Sequence, residues 1–209
     1  MKGNKDRGQA YTLEGFIGAM VVLMAVLFAL QSVVITPTTG GLADRTVQTQ
    51  IQQEAQDALI VSNQANGNLS KTLRNWNEST GFEGADQPPA PDEGNDEENQ
   101  TYSVDRFANE SKLGYVLKER FAENGWSYNV ELHPEKGENR TLVYQGSPPS
   151  SALTASYTVT LYDNQTVTSE WSDEQIQNVS EENQAIPRGY EDETETPLYN
   201  VVEVRVIVW

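Results

Sequence analysis

The run FIGAMVVLMAVLFAL, residues 16–30, holds fifteen consecutive apolar or glycine positions, and after Gln31 and Ser32 it closes with Val33, Val34 and Ile35. No charge falls between residues 16 and 35. Coiled as a helix rising about 1.5 Å per residue, such a stretch spans roughly 30 Å, the hydrocarbon thickness of a bilayer. The reading is one transmembrane helix over 16–35, with Phe16, Ile17, Val21, Leu23, Leu27, Phe28 and Leu30 as membrane-anchor residues. A short leader precedes it and a large polar region follows.

Charge orients this segment. Residues 1–13 carry Lys2, Lys5 and Arg7 against Asp6, whereas residues 36–209 hold 29 acids against 11 basic side chains. By the positive-inside rule the short N-terminus is cytoplasmic and the C-terminal region extracellular, on a single-pass protein of the cell membrane. The rival reading is a cleaved secretory signal, whose apolar stretch of about 7–15 residues ends in a small-x-small site. Val33-Val34-Ile35-Thr36-Pro37 is bulky and β-branched instead.

The whole chain of 209 residues has 31 acidic and 14 basic side chains, a net charge of −17, one His and no Cys. Nucleic acid and anionic lipid surfaces are bound through Lys and Arg, so this balance argues against both. Without Cys there is no disulfide framework or thiol nucleophile, and one His cannot build a multi-His metal site. There is no Gly-rich phosphate loop and no G-x-S-x-G elbow. The sequence assigns no catalytic residue, metal or cofactor. Lys is scarce, at six residues, and the excess acid lies beyond residue 35. That is the composition of a halophile's surface, where concentrated salt screens self-repulsion within about 3 Å at 1 M.

Ahead of the apolar run, Arg7-Gly8-Gln9-Ala10-Tyr11-Thr12-Leu13-Glu14-Gly15 sets a basic leader ending in Gly, a few mostly uncharged residues, and one carboxylate at the mouth of the hydrophobic segment. A carboxylate at the bilayer centre costs about 2.5–3.5 kcal/mol, so Glu14 needs a partner or an interfacial position. This leader resembles the class III signal of type IV pilins and related archaeal surface proteins. The pattern as a whole is similar to uncharacterised pilin-like membrane proteins of haloarchaea, at RGQAYTLEGF…LFALQ and again at TASYTVTLYD and LYNVVEVRVIVW. The resemblance implies cleavage by a prepilin peptidase around Gly8, Gln9 and Ala10, with the apolar helix retained. It further implies that the helix first anchors the subunit and then packs against other pilin-like subunits, with Glu14 pairing to a neighbour's freed N-terminal amine. Glu14 is sixth counting from Gln9 and fifth counting from Ala10. No catalytic residue comes with the resemblance.

After the span, Thr36-Pro37-Thr38-Thr39-Gly40-Gly41 is expected to break the helix. A second helix is expected from about Leu42 to Ser62, its narrow stripe of Val47, Ile51, Ala55, Ala58 and Leu59 set in a Gln-rich surface and open to three roles, a stalk, a partner-helix face or, the favoured one, a flank of the globular core. A shorter piece, Leu69 to Trp76, completes a helical stalk over 36–80. Residues 81–100 carry seven acids, Pro88, Pro89, Pro91 and three Gly without a basic residue. They read as an acidic disordered loop or linker that buries too little apolar surface to offset its ordering entropy.

Residues 101–209 read as an α+β head. Asn109 or Ser111 caps a helix carrying Leu113, Val116, Leu117 and Phe121, and Gly125 stops it. Strands are expected at Ser127–His133, Arg140–Tyr144, 155–161, Thr166–Trp171 and the closing valine alternation at Val202, Val204, Val206 and Val208. His133 falls on the polar face of its strand. The expected fold is thus α+β and pilin-like, with a transmembrane helix, a helical stalk, and a small antiparallel sheet carrying one or two packed helices.

Asn-x-Ser/Thr sequons stand at Asn68, Asn77, Asn99, Asn109, Asn139, Asn164 and Asn178, seven of 16 Asn, and all follow the span. Chance at this Ser and Thr content gives roughly two or three, so the excess points to N-glycosylation of an exported region. Together these features point to a non-catalytic, surface-exposed pilin-like subunit. The alternative is an anchored adhesin or sensor ectodomain that never enters a filament. A membrane-tethered hydrolase would require a cleft with two converging, partly buried carboxylates.

Overall fold

A computed structural model describes residues 5–31, 39–64, 68–94, 99–190 and 197–209. The chain divides into two compact units, Met1–Arg45 and Thr46–Trp209.

The first unit is built on α1 (Lys5–Gln31, 27 residues). Every side chain from Thr12 to Phe28 is exposed, with Phe16 at 63% and Phe28 at 77%. Among the described residues no helix is long and apolar enough to cross a membrane. The rest of the span read from the sequence, the side chains of Ala29 and Leu30 and the whole of 32–35, lies outside the described residues. So do Thr36, Pro37 and Thr38 of the expected helix break. Gly40 and Gly41 do not break a helix: they sit in the first turn of α2 (Thr39–Gln64). Backbone N–H groups of a first turn have no intrahelical acceptor in any case, which makes glycine tolerable there.

In the second unit α2 packs one face on the core. Ile51, Ala55, Ala58 and Leu59 are buried, whereas Val47, at 47% exposed, is not part of that stripe. From Ile51 onward α2 thus lines the core, as a flank of the globular unit. α3 (Asn68–Leu73) is shorter than expected, because Trp76 opens β1 (Trp76–Asn77), which pairs with β2 (Gly81–Phe82). Leu69, Leu73 and Trp76 are nonetheless all buried, and the Trp76 indole donates to Leu73 O at 2.6 Å.

Residues 81–94, part of the segment read from the sequence as an acidic disordered loop or linker, carry buried side chains and paired backbone in the structure. Phe82, Ala85 and Ala90 are buried, and the backbone pairs Gln87 with Thr101 in both directions. These three apolar anchors and the hydrogen bonds offset ordering entropy that composition alone leaves uncompensated. Asn95–Glu98 lie outside the described residues.

Two short helices follow, α4 (Val104–Glu110) and α5 (Lys112–Arg120). Ser111, not Asn109, caps α5, its hydroxyl accepting from Gly114 N at 2.8 Å. Gly114 is required by proximity, since a Cβ there would stand 2.1 Å from Phe107 O. Gly125, at φ 81°, closes the short turn Ala122–Asn124 in the left-handed region. Leu113, Leu117 and Phe121 are buried and Val116 partly so.

The sheet comprises β3 (Tyr128–Pro134), β4 (Arg140–Val143), β5 (Leu153–Tyr162) and β6 (Leu198–Val208), all antiparallel in the order β4-β3-β6-β5. The closing strand is thus central. Val202, Val204, Val206 and Val208 are fully buried, and Leu132, Val130 and Tyr128 lie opposite the last three. Each such side chain contributes about 1.5–3 kcal/mol by leaving water. The expected strand at Thr166–Trp171 is absent. One bridge joins Thr166 to Gln175, and Val167 instead anchors a long irregular loop together with Ile176, Val179 and Ile186.

Both sheet edges are covered. Tyr102 N donates to Leu142 O of β4 at 2.7 Å. On β5, Gln52 and Gln56 of α2 donate to Thr154 O and Ser156 O, each at 3.1 Å. Four helical residues advance about 6 Å and two strand residues about 6.7 Å, so one helix face meets successive outward carbonyls. That caps an edge otherwise open to strand addition.

Candidate functional site

Alternation along β3 and β6 sends one face of the sheet to the core and sets the polar side chains on the other. Asn129, Glu131 and His133 of β3 pair in register with Ile207, Arg205 and Glu203 of β6. Glu131 and His133, two apart on one face, bond at 2.9 Å between Oε2 and Nε2. Arg205 bonds Glu203 at 2.8 Å. The Glu203 carboxyl is held below the usual range by hydrogen bonds from Ser156 and Arg205.

Beside this ladder lies a cleft of about 400 Å³ lined by Asp92, Glu93, Asn99, Glu131, His133 and Arg140, among others. Glu93 is half-buried, and burial pushes its carboxyl up; Thr141, through its hydroxyl and backbone N–H, and Arg140 act in the opposite direction, while Glu131 adds to the rise. Asn99 Nδ2 donates to Glu93 O at 2.8 Å, and Asn99 Oδ1 is buried with no partner among the described residues. The cleft therefore brings together carboxylates in unlike environments. One is desolvated and inclined to keep its proton, and the other is hydrogen-bonded to an imidazole. Such a set can exchange a proton with a bound polar molecule. Among the described residues no group of three or more His, Cys, Asp or Glu could hold a metal ion.

A second cleft, of about 450 Å³, is lined by both signs of charge, including Lys71, Arg106, Glu83, Glu110 and Glu170. Arg106 is already engaged there, to Glu110 at 2.9 Å and to Gly84 O at 2.9 Å. Ser169 lines it with a buried hydroxyl that has no partner among the described residues.

The residues singled out by sequence fall into three groups. Gly8, Gln9 and Ala10 lie within α1, their side chains outside the described residues. Glu14 is exposed on α1, as are Phe16, Ile17, Val21, Leu23, Leu27 and Phe28, while the side chain of Leu30 lies outside the described residues. The sequons are scattered. Asn77 and Asn99 are half-buried, Asn109, Asn139, Asn164 and Asn178 are exposed, and the side chain of Asn68 lies outside the described residues. Sequence reasoning missed Glu93, placing it in a solvated run. It also left His133 without a partner, although Glu-x-His in a strand already puts both side chains on one face.

The model of a Family of unknown function (DUF7288) matches residues 7–208, nearly the whole chain. The chain belongs to that family. No curated protein and no solved structure matches it.

Proposed function

We propose that this DUF7288 chain is a non-catalytic, membrane-anchored surface subunit of pilin-like kind. The span Phe16–Ile35 holds it in the cell membrane, the short N-terminus is cytoplasmic, and the Thr46–Trp209 unit is extracellular. The observation that carries the reading is α1. Eleven large apolar side chains between Leu13 and Phe28 stand about half exposed or more, on all sides of one helix. A helix apolar all round belongs in a protein core or a bilayer, and leaving each such side chain in water forfeits about 1.5–3 kcal/mol. Lys5 and Arg7 at its start and the acidic surplus after it favour insertion with the N-terminus inside. Other copies of the same helix would offer equally apolar cover, which is the arrangement of a filament core.

Alkaline carbonate extraction of native membranes, followed by N-terminal sequencing of the retained chain, tests this reading. Retention with a new terminus at Gln9 or Ala10 supports a processed pilin-like subunit, and purified filaments containing the chain complete the case. Retention with an intact Met1 turns the reading to an anchored adhesin or sensor ectodomain. Release by carbonate overturns the anchor itself.

The cleft favours a second reading, a tethered hydrolase with Glu93 as general acid and Glu131 as its partner. What supports it is that half-buried Glu93 and Glu131 line the same cleft, with burial pushing the Glu93 carboxyl up. Turnover of a panel of glycosides and esters, lost in both Glu93→Gln and Glu131→Gln, would establish it. No turnover by the intact chain removes it.

A further inference from the structure

We infer that Asn164 and Asn178 form one doubly N-glycosylated platform, an inference resting on the extracellular placement proposed above. Seven sequons look alike in sequence, and the fold sorts them. Transfer to asparagine needs an amide nitrogen that can enter the transferase and, two residues on, a hydroxyl free to be bound there. A side chain already hydrogen-bonded within the fold must first break that bond, at a cost that rises with burial.

Most of the sequons fail on geometry. Asn77 donates to Glu83 Oε2 at 2.7 Å, and its Oδ1 accepts from both Ser79 N and Ser79 Oγ. Asn99 donates to Glu93 O, and its hydroxyl partner Thr101 is 1% exposed and donates to Pro88 O at 2.9 Å. Asn109 is exposed but lies in α4, and Ser111 is the buried cap of α5. Asn139 is exposed, yet Thr141 holds the Glu93 carboxylate. Ser70, which completes the Asn68 sequon, is bonded by Arg74 and Gln165.

Asn164 and Asn178 differ in every respect. Both asparagines and both hydroxyl residues, Thr166 and Ser180, are exposed, and none of the four makes a side-chain hydrogen bond among the described residues. Asn164 lies in the turn after β5 and Asn178 at the end of the short turn Ile176–Asn178. Fourteen residues apart in the chain, they are drawn together by Ile176 N donating to Gln165 O at 2.8 Å and by the Thr166–Gln175 bridge. Exposed loops held by a packed base are where modifying enzymes reach a folded protein, and Val167, Ile176 and Val179 supply that base.

In the transfer, asparagine Nδ2 bonds to the anomeric carbon of a saccharide carried on a membrane lipid phosphate or diphosphate. The bond from that carbon to the phosphate oxygen breaks, the lipid phosphate leaves with the electron pair, and the amide nitrogen gives one proton to a base of the transferase.

Glycopeptide mass spectrometry on the full chain from its native cells tests the inference, with digestion of intact cells by a membrane-impermeant protease run in parallel. The expected result is saccharide on Asn164 and Asn178 as the most occupied sites. One glycan mass is lost in Asn164→Gln, one in Asn178→Gln and both in the double variant. Thr166→Ala and Ser180→Ala lose the same glycans with asparagine in place, and Thr166→Ser restores one, which excludes misfolding as the cause. Occupancy centred on Asn77 or Asn99, or no glycan on a protease-accessible chain, overturns the inference and leaves the extracellular placement standing. A chain protected from protease overturns that placement and this inference with it.

Discussion

α1 and β6 are both rich in apolar side chains, and these meet opposite fates. Val21, Val22 and Leu23 of α1 are 61–63% exposed, whereas Val202, Val204, Val206 and Val208 of β6 are fully buried. Hydrophobicity does not separate them. The difference lies in periodicity and in cover. β6 alternates, so a single apolar face meets β3, β5 and the buried residues of α2, α4 and α5 in one core. Between Phe16 and Phe28 α1 is apolar on all sides, so this stretch has no polar face to give to water. The apolar face of β6 is buried, whereas the described apolar side chains of α1 are exposed, which is what the anchor proposed above rests on.

The contrast breaks most severely in the core. Phe107→Ala, at a fully buried position, should cost about 3–5 kcal/mol, read as a lowered urea midpoint at unchanged slope. The same substitution in α1, Phe16→Ala, should leave that midpoint where it was. A charge in the apolar helix inverts the test. Leu23→Arg should weaken membrane retention by about 2.5–3.5 kcal/mol, measured as the share recovered in membranes, while the thermal midpoint of the Thr46–Trp209 unit holds.

A smaller effect probes how α2 covers the sheet edge. Gln52→Ala and Gln56→Ala remove donors to two outward carbonyls of β5, at about 0.5–1.5 kcal/mol each. The double variant should also raise amide exchange along β5 ahead of β3. Exchange uniform across the sheet would show that the glutamines are incidental.

The finest test sets two carboxylates of the polar face against each other. Glu93 is pushed up by burial, so the folded state binds its proton more readily than the unfolded state. Stability then falls as pH rises from the unfolded value through the folded one, and Glu93→Gln should be the more stable protein at neutral pH, converging with the parent in acid. Glu203 is held down by Ser156 and Arg205. Its contribution is present above the unfolded carboxylate pKa and is lost as pH falls through the folded value. Glu203→Gln should therefore be the less stable protein at neutral pH and should converge with the parent in acid. Thermal midpoints followed from acid to neutral pH check both signs.

Much of the second unit was legible. The spacing of Leu113, Leu117 and Phe121, the cap at Ser111 and the stop at Gly125 all appear where local chemistry puts them, as do four of the expected strands. The misses share a cause. Thr166–Trp171 alternates like a strand but pairs with no strand among the described residues, and Val167 serves the core from a loop. Residues 81–94 look too polar to order, yet Thr101 and the neighbouring core supply what the segment itself lacks. Val47 belongs to the apolar stripe by spacing and misses the core, because α2 meets it only from Ile51 onward.

By itself the sequence determined the continuous apolar run, the strand and helix periodicities, the caps, and the set of seven sequons. These depend on residues within a few positions of one another, through the fixed rise of helix and strand. Only the tertiary structure decided which acids are desolvated, which edge the Gln side chains cover, and which two sequons lie together with their hydroxyls unengaged. Burial and pairing of that kind are set by residues tens of positions away, brought near by the closing strand at the centre of the sheet.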